Sequence, residues 1–463
     1  MKNISIFFLV FFILSINLLW AQTHTWTGGA GSDVKWSNPA NWDAGTIPNS
    51  NSNVLIPGGF FPEIMSQPAF ANTISMQSTT QLLVKNNLTF SGDFTVETEA
   101  TLRFEKGFLQ GGGTIVNNGT FHFNSFETKD IGNITIENNN IIFVEDSGVV
   151  HFHNTVLINN NTGAEINILS NGGFIENTSD DVTLNNYGIL KKLPFPNGAG
   201  GAYYLIFDIN NFGIIETGEN QTFLILTGSQ NFNNTEDGIL IGTGGYDITS
   251  NFTNFGKISP GKDTTAGTLQ MVNNVNLSTP GTLEIDINDP SENDMVEVFG
   301  TPDLQGDIAV TLGYGPDLGD EFTILTASNG INTCDFPAQV SAPFGPFDTY
   351  IFDVICNNNS IVLKVETILL DVTGFENSPF DFYVYPNPVK DSAEIYFSST
   401  ETNSQYEELS ISVYNMLGQK VKHIEGFSEE DISFKKENFS SGIYFLHLKN
   451  KEQLLATTKI VVE

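Results

Sequence analysis

The chain has 463 residues with 53 acidic and 19 basic side chains, and its formal net charge of −34 argues against binding to nucleic acids or anionic membranes. Arg103 is its one arginine, and because bidentate recognition of carboxylate, sulfate or phosphate depends on arginine, anionic ligands are also disfavoured. The 43 glycines predict many turns, and the 38 phenylalanines, with plentiful Ile, Val and Thr, predict strands between them.

Residues 1–21 have the pattern of a secretory signal. Lys2 precedes an apolar run from Ile4 to Trp20, and the small Ala21 comes just before a polar, Gly-rich start. This order is typical of a cleaved signal peptide. A retained membrane anchor is the alternative, although the run barely reaches the length that spans a bilayer. We therefore expect an exported mature chain without a membrane span.

Residues 23–85 are predicted to form an N-terminal cap. Trp26, Trp36 and Trp42 lie in a Gly-, Pro- and Asn-rich segment that is followed by a strand at 54–56. The arrangement resembles the N-terminal block of large bacterial secreted β-helix proteins of the adhesin and autotransporter-passenger kind. Exposed tryptophans could stack on sugars, but packing of the cap is the favoured interpretation.

An Asn-Asn pair recurs along residues 86–285. The pairs begin at 86, 117, 138, 159, 185, 210 and 233, a degenerate copy begins at Asn254, and the intervals are 31, 21, 21, 26, 25, 23 and 21 residues. A period in the low twenties with two or three short strands per unit indicates a solenoid, and the Leu-rich consensus of leucine-rich repeats is absent. We predict an all-β fold with a right-handed parallel β-helix, in which coils of about 22 residues stack roughly 4.8 Å apart.

Asparagine suits the corner of each coil for two reasons. It tolerates the left-handed backbone conformation of a sharp bend, and equivalent amides in successive coils can form stacked ladders. The differences in interval belong in loops, where insertions cost little. The alternatives are an antiparallel sandwich with Asn-rich turns and a β-propeller, which needs about 40 residues per blade.

Residues 286–371 are predicted to be terminal coils and a β cap, and their strand order resembles the closing coils of autotransporter-type passengers. The segment "DINDPSEND" offers candidate calcium ligands, although a solvated turn is the simpler interpretation: Asp286, Asn288, Asp289, Glu292 and Asp294. Cys334 and Cys356 are the only cysteines, and in an exported protein they are a candidate disulfide; the alternative is two buried thiols.

Residues 372–379 are predicted to be a linker, and residues 380–463 to be an immunoglobulin-like β-sandwich. Strands are expected at 381–385, 393–398, 409–415, 419–425, 442–449 and 454–462, because apolar and polar positions alternate there. The segment "MLGQK" is predicted to be a tight hairpin with Gly418 at the position of positive φ.

This C-terminal segment resembles the type A sorting domain of type IX secretion substrates of the Bacteroidetes. The segments that carry the resemblance are "FYVYPNPVKD", "ISVYNMLGQKV", "FSSGIYFLHL" and "TTKIVVE". The resemblance implies recognition by the outer-membrane type IX export machinery and then release or attachment at the cell surface. It assigns the sorting signal to Pro386, Asn387, Pro388, Asn415, Gly418, Gln419, Gly442, Tyr444 and Lys459.

No residue stands out as catalytic. His151 and His153 share one face of a predicted strand, but aligning the Asn pairs sets His122 opposite Phe143, so a third metal ligand is missing. The acidic pairs Asp180-Asp181 and Glu236-Asp237 lie in turns without a recognisable motif around them. We therefore expect no cofactor and a structural or adhesin-like role with glycans or host-matrix surfaces as partners; the alternative is a hydrolase of neutral polysaccharide, which needs two carboxylates across a cleft.

Overall fold

The computed structural model describes residues 22–145, 148–176, 180–194, 201–225, 230–249, 251–262, 265–272, 276–277, 281–345, 348–370, 380–399, 409–425, 432–436, 439–451 and 453–463. These residues form β-strands, and the one helix among them is a 3-10 turn at Pro39–Asn41. The chain divides into two compact units, Met1–Ala342 with Ile351–Glu366 and Pro343–Tyr350 with Thr367–Glu463. The predicted signal at 1–21 and the predicted linker at 372–379 lie outside the described residues.

The first unit contains a parallel β-solenoid of about 10 turns over residues 53–312. Its turns have three strand positions, which we name faces A, B and C. Face A consists of Glu63–Ile64, Gln81–Val84, Thr101–Phe104, Thr120–Asn124, Ile141–Glu145, Glu165–Ile168, Ile189–Lys192, Ile214–Thr217, Ile239–Gly242, Lys257–Pro260, Thr282–Asp289 and Asp307–Leu312.

Faces B and C form one 24-stranded sheet with further strands of the first unit, because the long strands Lys129–Asn138 and Val149–Asn160 run through both. The other strands of face B are Ala69–Ala71, Leu88–Phe90, Gly107–Gln110, Gly172–Glu176, Gly201–Ile206, Gln221–Ile225, Gly245–Ile248, Thr268–Val272, Met295–Phe299 and Glu321–Ala327. The other strands of face C are Gln22–Thr25, Ser52–Ile56, Thr73–Met76, Phe94–Val96, Thr114–Asn117, Asp181–Asn186, Asp208–Asn211, Asn231–Asn234 and Asn251–Asn254.

Alternation along each strand places apolar side chains inside the solenoid. On face A the inward positions of successive turns are paired directly in register and are at most 7% exposed: Leu82, Leu102, Phe121, Ile142, Ile166, Leu190, Ile215, Leu240, Ile258, Leu283 and Ile308. A column of this kind buries the apolar surface of each turn against the next, which a single turn could not do alone.

The solenoid begins before the predicted bound of residue 86, and its turns up to residue 312 include the start of the predicted terminal coils. Ser52–Ile56 pairs in parallel with Thr73–Met76, which pairs with Phe94–Val96, so part of the predicted cap at 23–85 already forms turns. These early turns lack asparagine at the corner between faces C and A and are packed by inward apolar residues such as Val54 and Ile74. The Asn-Asn repeat therefore marked only part of the solenoid.

The Trp-containing segment closes the start of the solenoid. Gln22–Thr25 pairs in parallel with Ser52–Ile56. Trp26, Trp36 and Trp42 are 2–3% exposed, and their rings pack edge to face at centroid distances of 4.8 and 5.0 Å. The Trp42 indole N–H donates to the Trp36 carbonyl at 2.9 Å. These indoles are core residues, and their burial removes them as a surface for sugars.

Further strands follow the last Asn corner. Asn276–Leu277, Asp303–Gln305 and Thr333–Asp335 form a three-stranded parallel sheet, and Glu321–Ala327 pairs antiparallel with Ser360–Leu370. Cys334 and Cys356 are joined in a disulfide. Further strands are Glu292–Asn293, Gln339–Phe344 and Asp348–Cys356.

The second unit contains two antiparallel sheets. One consists of Phe380–Tyr385, Ser392–Ser399 and Ser433–Lys435, and the other of Lys420–Glu425, Leu409–Asn415, Gly442–Asn450 and Gln453–Val462 in that order. Side chains from both sheets form one buried core that includes Phe382, Ile395, Val413, Leu446 and Ile460. This is the arrangement of a β-sandwich, as predicted, and each predicted strand is present within about two residues at either end.

Candidate functional site

A ladder of buried asparagines runs along the corner between faces C and A. Its members are at most 4% exposed: Asn117, Asn138, Asn160, Asn186, Asn211, Asn234 and Asn254. The amide Nδ2 of each of the first six donates to the Oδ1 of the next member at 2.7–2.8 Å. The same six amides also donate to main-chain carbonyls of face A at 3.0–3.4 Å, from Ile141 O to Lys257 O. The predicted stacking of amides is confirmed.

The structure corrects the alignment of the Asn pairs. Glu137 is opposite Asn159 and Asn138 is opposite Asn160, so the ladder changes from the first to the second member of the pair at this turn. The pair at Asn86 and Asn87 lies between faces A and B, and it is Val96 that lies below Asn117. The long first interval of 31 residues therefore joins two different corners.

A second ladder of half-buried amides lies on the outside of the same corner. Asn159, Asn185, Asn210 and Asn233 are joined by amide hydrogen bonds of 2.9–3.0 Å, and Thr253 Oγ1 donates to the last of them at 2.7 Å. Beside it, the rings of Tyr187 and Phe212 stack at 4.6 Å with an interplanar angle of 10°. This edge of the solenoid therefore presents neutral hydrogen-bonding groups and aromatic rings.

Glycine follows the buried asparagine at several of these corners because a side chain has no room there. A Cβ on Gly213 would lie 2.2 Å from Gly188 O, and one on Gly256 would lie 2.1 Å from Gly238 O. The same close approach lets the next main-chain N–H donate across the turns, as from Ile214 N to Gly188 O at 2.9 Å. The sequence showed these glycines within the repeat but not their function.

The histidines considered as metal ligands have carboxylate neighbours. His153 Nε2 lies 2.8 Å from Asp130 Oδ1, and His122 Nδ1 lies 3.0 Å from Glu145 Oε2. His122 is opposite Phe143, as the sequence predicted, and its ring stacks on that phenylalanine. Within the described ranges, no group of three or more His, Cys, Asp or Glu side chains is arranged so that it could hold a metal ion.

The candidate calcium ligands at 286–294 make other contacts. Asp294 is 1% exposed, its Oδ1 accepts from Gly267 N at 2.8 Å, and its Oδ2 accepts from Asp286 N at 3.0 Å. Burial raises the pKa of the Asp294 carboxyl to about 7. Asp289 Oδ1 accepts from the N–H and the hydroxyl of Ser291 at 2.7 and 2.8 Å. The carboxylates at 289 and 294 thus hold the local backbone, and calcium binding stays a prediction.

Lys192 and Glu176 are two of the buried ionisable groups inside the solenoid, and neither was predicted. Lys192 is fully buried, and its ammonium donates to Leu193 O at 3.0 Å and Gln221 Oε1 at 2.9 Å; burial lowers its pKa to about 8. Glu176 is 9% exposed and accepts from the Gln230 amide. Burial raises the pKa of the Glu176 carboxyl, the hydrogen bond from Gln230 opposes the rise, and the charge of Asp208 adds to it. Each occupies an inward strand position, where the periodicity predicts an apolar residue.

Of the predicted acidic pairs, Asp180 and Asp181 lie at the start of the strand Asp181–Asn186, where Asp180 Oδ1 accepts from Asn154 N at 2.8 Å. Glu236 and Asp237 are exposed in the turn before the strand Ile239–Gly242. Both pairs lie outside the interior of the solenoid, and the expectation that neither is catalytic stays a prediction.

In the C-terminal unit, the side chain of Asn387 is hydrogen-bonded to the main chain of the last strand. Its Nδ2 donates to Lys459 O at 2.8 Å, and its Oδ1 accepts from Val461 N at 2.8 Å. Both flanking prolines, Pro386 and Pro388, follow cis peptide bonds. Val389 then continues the contact, since its N–H donates to Val461 O at 2.7 Å. The predicted signal residues at 386–388 therefore pair with the end of the chain as a short strand would.

The second motif forms the predicted hairpin turn. Asn415 Oδ1 accepts from Leu417 N and Gln419 N, both at 3.0 Å, while its Nδ2 donates to Gln419 Oε1 at 3.0 Å. Gly418 has a φ of 72°, as expected for a turn that glycine favours. The side chains of Asn415 and Gln419 are thus used to hold the turn.

The remaining signal residues lie on two adjacent strands. Tyr444 is 8% exposed and its hydroxyl donates to Ser440 O at 2.9 Å, close to the start of its strand at Gly442. Lys459 is opposite Phe445 on the last strand and is exposed. Tyr444 therefore belongs to the buried core, whereas Lys459 is exposed and available to a partner.

Comparison with known families identifies this C-terminal unit. Residues 383–463 match the family described as the secretion system C-terminal sorting domain. A comparison of the chain with curated proteins gives no match. Among the described residues, none of the helices has the length and apolar character needed to cross a membrane. With its solenoid and its sorting domain, the chain is a secreted β-helical protein that interacts with the type IX secretion machinery.

Proposed function

We propose that the mature protein is a structural or adhesin-like component of the cell surface, in which the solenoid is a stiff shaft that presents its edges and loops to partners. The proposal includes cleavage of residues 1–21. The observation that carries it is the buried ladder from Asn117 to Asn254, which joins consecutive turns without interruption. About 10 turns at roughly 4.8 Å each give a solenoid about 50 Å long.

The surface chemistry supports neutral partners. The outer ladder from Asn159 to Asn233 offers amide donors and acceptors, and Tyr187 beside it is 41% exposed. With a net charge of −34 and a single arginine, the chain has little attraction for anionic ligands. Neutral glycans and host-matrix proteins are therefore the partners to test first.

The test is binding of the purified mature protein to arrays of neutral glycans and matrix proteins. The double variant Asn185→Ala/Asn210→Ala removes outer amides, and Glu236→Ala is a matched surface control on the same solenoid. The proposal expects saturable binding that the double variant weakens and the control retains, without release of reducing ends. Release of reducing ends from a bound glycan would contradict it.

One observation favours hydrolysis of a neutral polysaccharide as the second candidate. Burial raises the pKa of the Glu176 carboxyl, and the charges of Asp208 and Asp180 add to the rise. A carboxyl group with a raised pKa near other acidic side chains is the kind of group that a general acid in glycoside hydrolysis requires.

The two candidates are separated by a reducing-end assay on neutral polysaccharides with the variants Glu176→Gln and Glu236→Gln. A hydrolase that uses Glu176 should lose at least 100-fold in rate in the first variant and keep its rate in the second. Absence of activity in the unaltered protein would remove this candidate.

A further inference from the structure

The side chains that the sorting motifs supply are mostly used inside the domain. Asn387 is hydrogen-bonded to the last strand, Asn415 and Gln419 hold their own turn, and Tyr444 is buried. A side chain that is buried or saturated by its own domain offers little to a partner. Among the signal residues Lys459 is exposed, so we expect the further contacts with the export machinery to come from other residues of the domain.

The hairpin turn presents two large apolar side chains to solvent. Met416 is 70% exposed and Leu417 is 82% exposed, which is the largest value for a large hydrophobic side chain in the described part of the chain. The next residue with an exposed apolar side chain, Val421, is 44% exposed on the adjoining strand Lys420–Glu425, which is at the edge of its sheet. We name Met416, Leu417 and Val421 the apolar tip.

The turn that carries the tip is firmly built. The side chain of Asn415 makes three hydrogen bonds of 3.0 Å within it, and its main-chain N–H donates to Gln419 O at 3.0 Å. These bonds fix the backbone of Leu417, so its side chain cannot easily turn back into the domain. A preorganised apolar anchor of this kind loses little entropy when it enters a pocket.

The apolar tip differs from the exposed tyrosines of the domain because its side chains carry no polar group. Tyr383, Tyr385 and Tyr396 are 44–69% exposed on the outer face of the first sheet. Tyrosine has a hydroxyl that water satisfies, so its exposure needs no partner. Met416 and Leu417 have no such group, so burying either side chain against a partner is favourable.

We propose that the apolar tip is the contact by which the type IX export machinery holds this domain, and that the machinery offers an apolar pocket for Met416 and Leu417. The proposal rests on the export function of the domain, which identifies the export machinery as the partner that binds the tip. A second copy of the chain is disfavoured because two chains of net charge −34 repel each other, and the same charge disfavours an anionic lipid surface.

The experiment measures export of the full chain from its native cell. The variant Met416→Ser/Leu417→Ser should lower the amount at the surface and in the medium at least fivefold and accumulate protein in the periplasm. Leu454→Ser, which replaces a 41% exposed leucine elsewhere in the domain, is the matched control and should export normally. Leu417→Met keeps an apolar tip and should also export normally.

Stability is measured on the same purified chains. The tip variants should melt within about 1 °C of the unaltered protein, because surface substitutions change stability little. Asn415→Ala should lower both the melting temperature and export, since it loosens the turn. If the tip variant proves unstable, Leu417→Lys alone is compared with Leu454→Lys.

Normal export of the tip variant would overturn the proposal, as would an equal loss of export in Leu454→Ser. A chain without residues 380–463 is the benchmark for the domain itself. If the deletion leaves export unchanged, the assignment of the sorting domain is wrong. If the deletion abolishes export but the tip variant exports normally, the machinery recognises a different surface of the domain.

Discussion

The buried asparagine ladder should make a large contribution to the stability of the solenoid. The substitution Asn186→Ala removes one central member. It takes away the donors to Asn211 Oδ1 at 2.8 Å and Ile214 O at 3.0 Å, and the acceptor of the Asn160 amide at 2.7 Å. Because Asn186 is fully buried, water cannot replace these bonds without entering the core.

The expected loss follows from what remains unpaired. Asn211 Oδ1 loses its amide donor, and one N–H of Asn160 loses its acceptor. A buried polar group without a partner costs roughly 1–3 kcal/mol. For these two groups we therefore expect Asn186→Ala to lower the free energy of unfolding by about 2–6 kcal/mol.

Two variants serve as controls. Asn210→Ala removes a member of the outer ladder that also makes two amide contacts, but it is half-buried and water can replace them, so about 1 kcal/mol or less is expected. Asn117→Ala removes the first member of the buried ladder, whose Oδ1 already has no partner, so its cost should be intermediate.

The assay is urea unfolding of the mature chain followed by circular dichroism, together with amide hydrogen exchange, because stacked repeats need not unfold in one step. Exchange should accelerate most in the turns on either side of residue 186. Equal losses for Asn186→Ala and Asn210→Ala, or a loss below about 0.5 kcal/mol for the former, would refute the importance of the ladder.

Three further predictions follow from single features. Deletion of residues 380–463 should leave the protein in the periplasm, as measured by fractionation and immunoblotting; unchanged amounts in the medium would contradict the export assignment. Gly213→Ala should cost about 1–3 kcal/mol in urea unfolding because its Cβ meets Gly188 O at 2.2 Å, whereas Gly218→Ala, with nothing nearer than 3.5 Å, should cost less than half as much. The raised pKa of Asp294, about 7, means that its contribution to stability is complete below about pH 4 and is lost as the pH rises through 7. The urea midpoint should therefore fall between about pH 4 and pH 7. Asp294→Asn should make this fall smaller; an identical fall in both proteins would show that Asp294 does not titrate in this range.

The sequence by itself determined the class of fold and the architecture of the two units. The recurring Asn pair with short apolar strands predicted stacked turns, since only a repeating structure needs the same corner at each interval. Alternating apolar positions located six of the seven strands that the structure describes in the two sheets of the sorting domain and missed the short strand Ser433–Lys435, and the pattern around Gly418 located the hairpin. These features are local, so a short stretch of sequence is sufficient to reveal them.

Only the tertiary structure decided which asparagine of each pair is buried. Neighbouring strand residues point to opposite sides, so a change of one residue in register exchanges the inner and outer ladders. The hydrogen bonds between turns select Asn138 and then Asn160, although the sequence pattern treats both members of a pair alike. For the same reason, the extension of the solenoid to residues 53–312 and the contact of Asn387 with the last strand depend on partners distant in sequence, which spacing alone does not reveal.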